Sequence, residues 1–188
     1  MGIRIKSGSA AVILLGGLFG AFSHAQPSSR ASAPSMEEYQ VKAGFVSSFA
    51  NFVEWPPSSF HAPDDPLTIC VLGADPFGTS LDALTEGKVV AGRSLVVRRI
   101  SDSRRVGGCH LLFVSASEHL RLRAILASLV GQSIFSIGDT SDFIAEGGLV
   151  NLQVDNGKVR IEINADAARD RRLRVSSRLL QLARSVKP

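Results

Sequence analysis

Residues 39–57 read YQVKAGFVSSFANFVEWPP, and the spacing of their apolar residues predicts an amphipathic helix. At about 100° per residue, the apolar side chains occupy one arc of roughly 140°, and the polar ones cluster opposite. Pro56 and Pro57 end the helix, because a proline donates no N–H and restricts the residue before it. The arc consists of Val41, Phe45, Val46, Phe49, Phe52 and Val53. We therefore expect a helix whose aromatic face packs on a sheet.

Two residues of this stretch admit more than one interpretation. Lys42 falls inside the apolar arc near the helix start, where its long stem can carry the ammonium to water. The alternative is a buried functional lysine. Trp55, the only tryptophan, and four of the ten phenylalanines lie between Phe45 and Phe60. We expect these aromatic residues to form core, with a partly exposed surface around Trp55 as the alternative.

The start of the chain has the pattern of a secretory signal peptide. A basic beginning, an apolar run over residues 10–22 and a small-x-small site at residues 23–25 follow one another. The run is too short to span a bilayer comfortably. We predict three segments, which are a signal peptide at 1–25, a flexible leader at 26–36 and a folded domain at 37–188.

Length and charge limit the class of protein. The chain has 188 residues, 45% of them hydrophobic, which suits one domain with a substantial core. The formal net charge of +4 includes Arg4 and Lys6 of the predicted signal peptide, so the remainder is nearly balanced. We therefore expect no nucleic-acid partner, and an exported protein would rarely meet one.

Strand and helix patterns alternate along the predicted domain. Apolar runs at 67–72 and 109–114 predict buried strands. Asp155-Asn156-Gly157 predicts a hairpin turn before 158–163, where apolar and polar residues alternate. The expected fold class is α/β, a single domain in which α-helices flank a mixed β-sheet.

Two helices are predicted in the second half of the domain. Ser117 caps a helix that ends at Gly131, and Ser176 caps the last helix, whose Leu182 and Val186 pack inward. Between them lies a basic patch that we interpret as a solvated face. Its members are Arg169, Arg171, Arg172, Arg174 and Arg178.

Cys70 and Cys109 are the only cysteines, and both lie in apolar runs. An exported protein folds where thiols oxidise. Closing a loop of about 40 residues would stabilise the fold by up to roughly 4 kcal/mol. We hypothesise a disulfide between them, with two buried free thiols in separate strands as the alternative.

The sequence offers no pattern that predicts catalysis. We find no nucleophile beside a base, no paired carboxylates and no ligand cluster. His110 has no second Cys/His pair at metal-ligand spacing, so we interpret it as a packed strand histidine. Gly73 and Gly78 do not form a nucleotide-binding motif. We predict no catalytic residue, no metal, no cofactor and no enzyme activity.

Seven motifs in register resemble the YfiR family, which includes HmsC-like proteins. The resemblance covers about residues 38–186, and Cys70 and Cys109 fall on the family's cysteine positions. No single motif is diagnostic. The motifs are the Tyr-x-Val-Lys-Ala-x-Phe to Trp-Pro run at 39–56, CVLGADPFG at 70–78, GRSLVVRRI at 92–100, CHLLFVSAS at 109–117, GGLVNL at 147–152, RIEIN at 160–164 and SSRLLQLA at 176–183.

The resemblance implies an α/β fold and a periplasmic regulator. Such proteins repress the sensor domain of an inner-membrane diguanylate cyclase of the YfiN type, which lowers cyclic-di-GMP signalling and so controls biofilm formation and motility. An outer-membrane lipoprotein of the YfiB type can sequester them. Redox control through the two cysteines is implied as well, although this chain lacks the second cysteine pair that some members hold near GGLVNL. A homodimer is an open alternative to a monomer.

We place the partner contact around Trp55, Arg93 and the polar strand face with Glu162 and Asn164. The alternative function is a periplasmic small-molecule-binding sensor. Its ligand would lie in the crevice beyond Gly73 and Ser115, where doubly wound folds bind ligands.

Overall fold

The computed structural model describes residues 35–187. The predicted signal peptide and most of the predicted leader lie outside the described residues. None of the described helices combines the length and the apolar character that a membrane crossing needs. The helices are α1 (Met36–Phe49), α2 (Thr79–Thr85), α3 (Leu122–Ser128), α4 (Ala165–Asp170) and α5 (Ser177–Leu182). The strands are β1 (Val53–Glu54), β2 (Leu67–Leu72), β3 (Val89–Val90), β4 (Arg93–Ile100), β5 (Leu111–Val114), β6 (Phe135–Gly138), β7 (Val150–Asp155), β8 (Lys158–Asn164), β9 (Arg174–Val175) and β10 (Ser185–Lys187).

One mixed sheet organises the domain, in the strand order β10-β8-β7-β6-β5-β2-β4-β3. The central strands β4, β2, β5, β6 and β7 run parallel. Strand β3 is antiparallel to β4, β8 is antiparallel to β7, and β10 is parallel to β8. Every residue of β2, β5 and β6 is buried, because helices cover both faces of a parallel sheet. The predicted fold class, a mixed sheet flanked by helices, is confirmed.

Helix α1 packs on one face of the sheet through Val46 and Phe49, both buried. Its N-cap is Ser35, whose hydroxyl accepts the N–H of Glu38, so the helix begins inside the segment assigned to the leader. It ends at Phe49, well before the prolines, because the chain soon enters β1 and pairs with β9. Val41, expected in the buried arc, is 52% exposed.

The opposite face is covered by α3, which buries Leu122, Ile125 and Leu126. This helix begins later than predicted. Ser115 caps a 3-10 segment that precedes α3, and its hydroxyl accepts the N–H of Ser117.

The predicted hairpin forms, and a second hairpin connects β3 to β4. Asn156 and Gly157 connect β7 to β8 with φ of 51° and 72°, the left-handed backbone that this dipeptide adopts readily. Ala91 and Gly92 connect β3 to β4, also with positive φ.

The C-terminal segment differs from its prediction. Helix α5 ends at Leu182, Ala183 is extended, and β10 then adds to the sheet edge beside β8. Consequently Leu182 is 59% exposed and Val186 is 44% exposed, so the expectation that both pack inward is wrong. A short helix followed by an edge strand carries the same apolar spacing as one longer helix.

Candidate partner-binding surfaces

Trp55 and Arg93, two of the predicted contact residues, belong to one aromatic cluster. The Phe60 ring stacks on His110 with 4.5 Å between centroids, and the Arg93 guanidinium lies 3.6 Å from the Phe60 centroid. Trp55 Nε1 donates to the His110 carbonyl at 3.3 Å. The cluster lies at the amino ends of β2 and β5, and Trp55 is half-buried.

His110 holds the loop before β2 against the sheet. Its Nδ1 accepts the Thr68 N–H at 3.1 Å, so the neutral ring carries its proton on Nε2, which lies 3.2 Å from the Ser59 carbonyl oxygen. Burial lowers the pKa of His110, and the positive charge of Arg93 acts in the same direction. The residue is a packed histidine, as predicted, one position before β5.

Glu162 and Asn164 lie on β8, apart from the aromatic cluster. Glu162 Oε2 accepts from Asn151 Nδ2 at 3.3 Å, and Asn164 Oδ1 caps α4 by accepting the Ala167 N–H at 3.0 Å. Strands β7 and β6 separate β8 from β5. The four predicted contact residues therefore form two groups.

An apolar groove runs along α1, and sequence reasoning missed it. Two adjoining cavities of about 480 and 400 Å³ share Val41 and Phe45. We call them together the α1 groove. Its apolar lining consists of Val41, Phe45, Phe49, Phe52, Val154, Val159, Ile161, Leu179 and Leu182. The apolar arc of residues 39–57 contains the helical half of this lining, but periodicity does not reveal which part of an arc stays uncovered.

Lys42 is buried, so the expectation that its ammonium reaches water is wrong. The residue is 2% exposed, and Nζ lies 2.9 Å from Asp139 Oδ2 and 2.5 Å from Glu38 Oε1. Asp139 follows β6, so this ion pair ties α1 to the end of a central strand. Burial raises the pKa of Tyr39, and the Asp139 carboxylate raises it further.

Arg171 departs from the predicted solvated face. Its side chain is 2% exposed and donates to Ser136 Oγ at 2.8 Å and to the Gly147 carbonyl at 3.0 Å. Burial lowers its pKa to about 10. The other four arginines of the patch are exposed, in line with the prediction.

The family model described as YfiR/HmsC-like matches residues 39–184. This chain belongs to the YfiR/HmsC-like family. The predicted family is thereby confirmed, and at family level it supports a periplasmic regulator of a diguanylate cyclase.

Comparison with curated proteins found no match. Two solved structures resemble the YfiR/HmsC-like chain with a TM-score of 0.51 each. One is the ABC domain in complex with L-Trp from Streptococcus pneumonia, at 11% identity, and the other is a conserved domain protein from Vibrio cholerae O1 biovar El Tor, at 12% identity. Each match covers 79% of this chain and 60% of the solved one, so this chain spans less than two thirds of their length. At such identity the likeness shows the fold alone.

The disulfide hypothesised for this YfiR/HmsC-like chain is present. The bond joins Cys70 of β2 to Cys109, two residues before β5, with 5.7 Å between their Cα atoms. The described residues contain no free cysteine. Arg98 lies against the bridge, which the sequence did not indicate.

The crevice beyond Gly73 and Ser115, considered as a site for a small ligand, is occupied by side chains of this protein. The Ala74 N–H donates to Ser117 Oγ at 2.9 Å, and a Cβ on Gly73 would lie 2.9 Å from Glu118 Oε1. Glu118 is buried there and pairs with Arg121. The geometry therefore favours the surfaces described above over this crevice.

Proposed function

We propose that this protein is a periplasmic repressor that binds the sensor domain of an inner-membrane diguanylate cyclase of the YfiN type. The observation that supports the proposal is the family match over residues 39–184. A repressor that binds the inactive arrangement of the cyclase more tightly than the active one shifts the population toward inactivity. Lower cyclic-di-GMP output, with its effects on biofilm formation and motility, follows.

The α1 groove supplies apolar contact area for such a partner. Val41, Val154 and Leu182 are exposed by 52%, 44% and 59%. Clusters of exposed apolar side chains on a soluble domain mark interaction sites. A partner seated here buries side chains that otherwise contact water.

In our proposal, the two groups of predicted contact residues flank the α1 groove. Trp55 contacts His110 just before β5, which is three strand spacings of about 4.8 Å from β8, and Arg93 begins β4, which is five spacings from β8. Glu162 and Asn164 lie on β8. Both separations fit within one standard protein interface. We propose the same surface for a YfiB-type lipoprotein, which would then compete with the cyclase, and for a homodimer.

Coexpression with the cognate cyclase tests the proposal. Export of the wild-type protein should lower cellular cyclic-di-GMP, and the variant W55A/E162K should lower it less. Leu120→Glu, at a residue 88% exposed in the 3-10 segment before α3, is the matched control. Full repression by a folded W55A/E162K variant would remove these residues from the interface. A wild-type protein that neither binds the sensor domain nor changes cyclic-di-GMP would refute the function.

A further inference from the structure

Strand β8 has an outer edge that β10 covers only in part. The register pairs Ser185–Lys187 with Glu162–Asn164, the last three residues of β8. The Arg184 N–H donates to the Ile161 carbonyl at 2.8 Å, so Ile161 directs its backbone groups away from β7. Because these directions alternate, Val159 also directs its N–H and C=O outward. Within residues 35–187 no strand pairs with Val159 on that side.

The same residue links this open edge to the α1 groove. The Val159 side chain lines the groove together with Val41, Phe45 and Val154. A strand added at the edge would direct every second side chain toward this apolar surface. An open edge beside apolar pockets is the arrangement that binds extended segments of other proteins, since the backbone supplies affinity and the pockets supply specificity.

The basic residues of β8 indicate which side chains the other face of the incoming segment should carry. Lys158 and Arg160, both exposed, flank Val159 on β8, and Lys158 also contributes to the wall of the α1 groove. Arg160 lies 3.9 Å from Asp155, and Lys158 has no ion-pair partner within the described part of the chain. Opposite charges on neighbouring strands stabilise pairing, whereas like charges destabilise it. The partner strand should therefore alternate apolar residues with acidic ones.

We propose that the partner adds an extended segment, with alternating apolar and acidic residues, to the outer edge of β8 at Val159. Its apolar side chains enter the α1 groove, and its acidic side chains face Lys158 and Arg160. The inference rests on the proposed function in one respect, namely that the segment belongs to the sensor domain of the cyclase.

Amide exchange of the ¹⁵N-labelled protein, with and without the purified sensor domain, tests strand addition. The Val159 amide should exchange about tenfold more slowly in the complex, because it gains a hydrogen bond. The Arg160 amide, which points toward β7, is the internal control and should change less. An unchanged Val159 amide in a formed complex would overturn the inference while leaving the proposed function intact. A sensor domain that does not bind at all would overturn both.

Val159→Pro provides the matching variant. Proline removes the outward N–H, and an edge strand tolerates it because that N–H has no partner in the sheet. Binding of the sensor domain should weaken about tenfold or more, whereas Val159→Ile, which keeps the donor and the apolar side chain, should bind like the wild type. A folded Val159→Pro protein with wild-type affinity would overturn strand addition.

If Val159→Pro does not fold, Val154→Lys replaces it as the test of the groove. The binding affinity of this variant is then interpreted together with the exchange rate of the Val159 amide in the wild-type protein. Loss of binding with a protected Val159 amide supports the inference. Loss of binding with an unprotected Val159 amide indicates a helix in the groove and overturns it. A Val159 amide that is already protected without the sensor domain, in a protein of twice the monomer mass, indicates a second copy at this edge and also overturns it.

Discussion

Arg98 Nη2 lies 3.1 Å from Cys109 Sγ, and the same nitrogen donates to the Gly107 carbonyl at 2.7 Å. A weaker contact of 3.5 Å reaches Cys70 Sγ. Arg98 belongs to β4, so its guanidinium joins this strand to the loop before Cys109. The disulfide and Arg98 thus act together on one loop.

Removing the bridge should weaken the fold substantially. The two cysteines are 39 residues apart, and the chain-entropy model assigns about 4 kcal/mol to closing such a loop. We expect C70A/C109A to lower the free energy of unfolding in urea by about that amount.

Arg98→Ala should lower the free energy of unfolding of the oxidised protein by about 1 kcal/mol. Arg104→Ala, at an exposed arginine that contacts Asp102, should cost less. Equal losses for the two arginine variants would contradict a role for Arg98 in holding this loop.

The buried ion pair between Lys42 and Asp139 should show strong energetic coupling. Asp139→Ala leaves an ammonium in the core with Glu38 as its remaining partner, and we expect a loss of about 3 kcal/mol in unfolding free energy. The double variant K42M/D139L should lose less than the sum of its single variants, since neither charge remains alone. Urea denaturation of the wild type, K42M, D139L and K42M/D139L measures the coupling. Glu146→Gln, which breaks the exposed pair with Arg123, is the comparison and should cost less than about 1 kcal/mol. Additive losses would show that the pair is not coupled.

His110 should make stability depend on pH. Its pKa in the fold is below the value of about 6.5 that applies to the unfolded chain. Between those two pKa values the unfolded chain binds more protons, so stability rises with pH. We expect the free energy of unfolding to fall as pH drops from about 7 toward 5, by at most about 1.4 kcal/mol per pH unit.

Two variants separate His110 from other titrating groups. His110→Asn keeps an acceptor near the position of Nδ1 for the Thr68 N–H and should flatten the pH profile of stability. His119→Gln, at an exposed histidine, is the matched control. A profile that keeps its slope in His110→Asn would assign the pH dependence elsewhere.

Phe143 packs directly against Gly138 and Gly148, whereas Gly44 has open space around it. We therefore expect alanine to destabilise the protein at the first two positions and to stabilise it at the third. A Cβ on Gly138 would lie 2.6 Å from Phe143 Cγ, and one on Gly148 would lie 2.6 Å from the Phe143 carbonyl oxygen. Either alanine substitution should destabilise by about 1–3 kcal/mol through overpacking. Gly44→Ala should instead stabilise by about 0.5–1 kcal/mol, because this helical glycine has open space around its Cα. Thermal unfolding compares the three variants, and a stable Gly138→Ala protein would contradict the enclosure of Phe143.

Much of the fold could be predicted from local pattern. The apolar runs of β2 and β5 and the turn at Asn156-Gly157 identify strands and a hairpin, because burial and positive φ constrain residue type at each position. The sequence did not predict where α1 ends, and it predicted a helix at Val186, which lies in an edge strand. Both depend on pairing with distant strands, which local propensity does not encode.

The candidate site was also predicted only in part from the sequence. The motifs along residues 39–184 identified the family, and the two cysteines in apolar runs were enough to suggest their bond. Burial of Lys42 against Asp139 and of Arg171 against Ser136 arises because residues 97 and 35 positions apart meet in space, and a hydrogen bond inside the core offsets the cost of leaving water. The α1 groove has the same origin, since the position of β8 and α5 decides which side of an apolar helix face remains open to a partner.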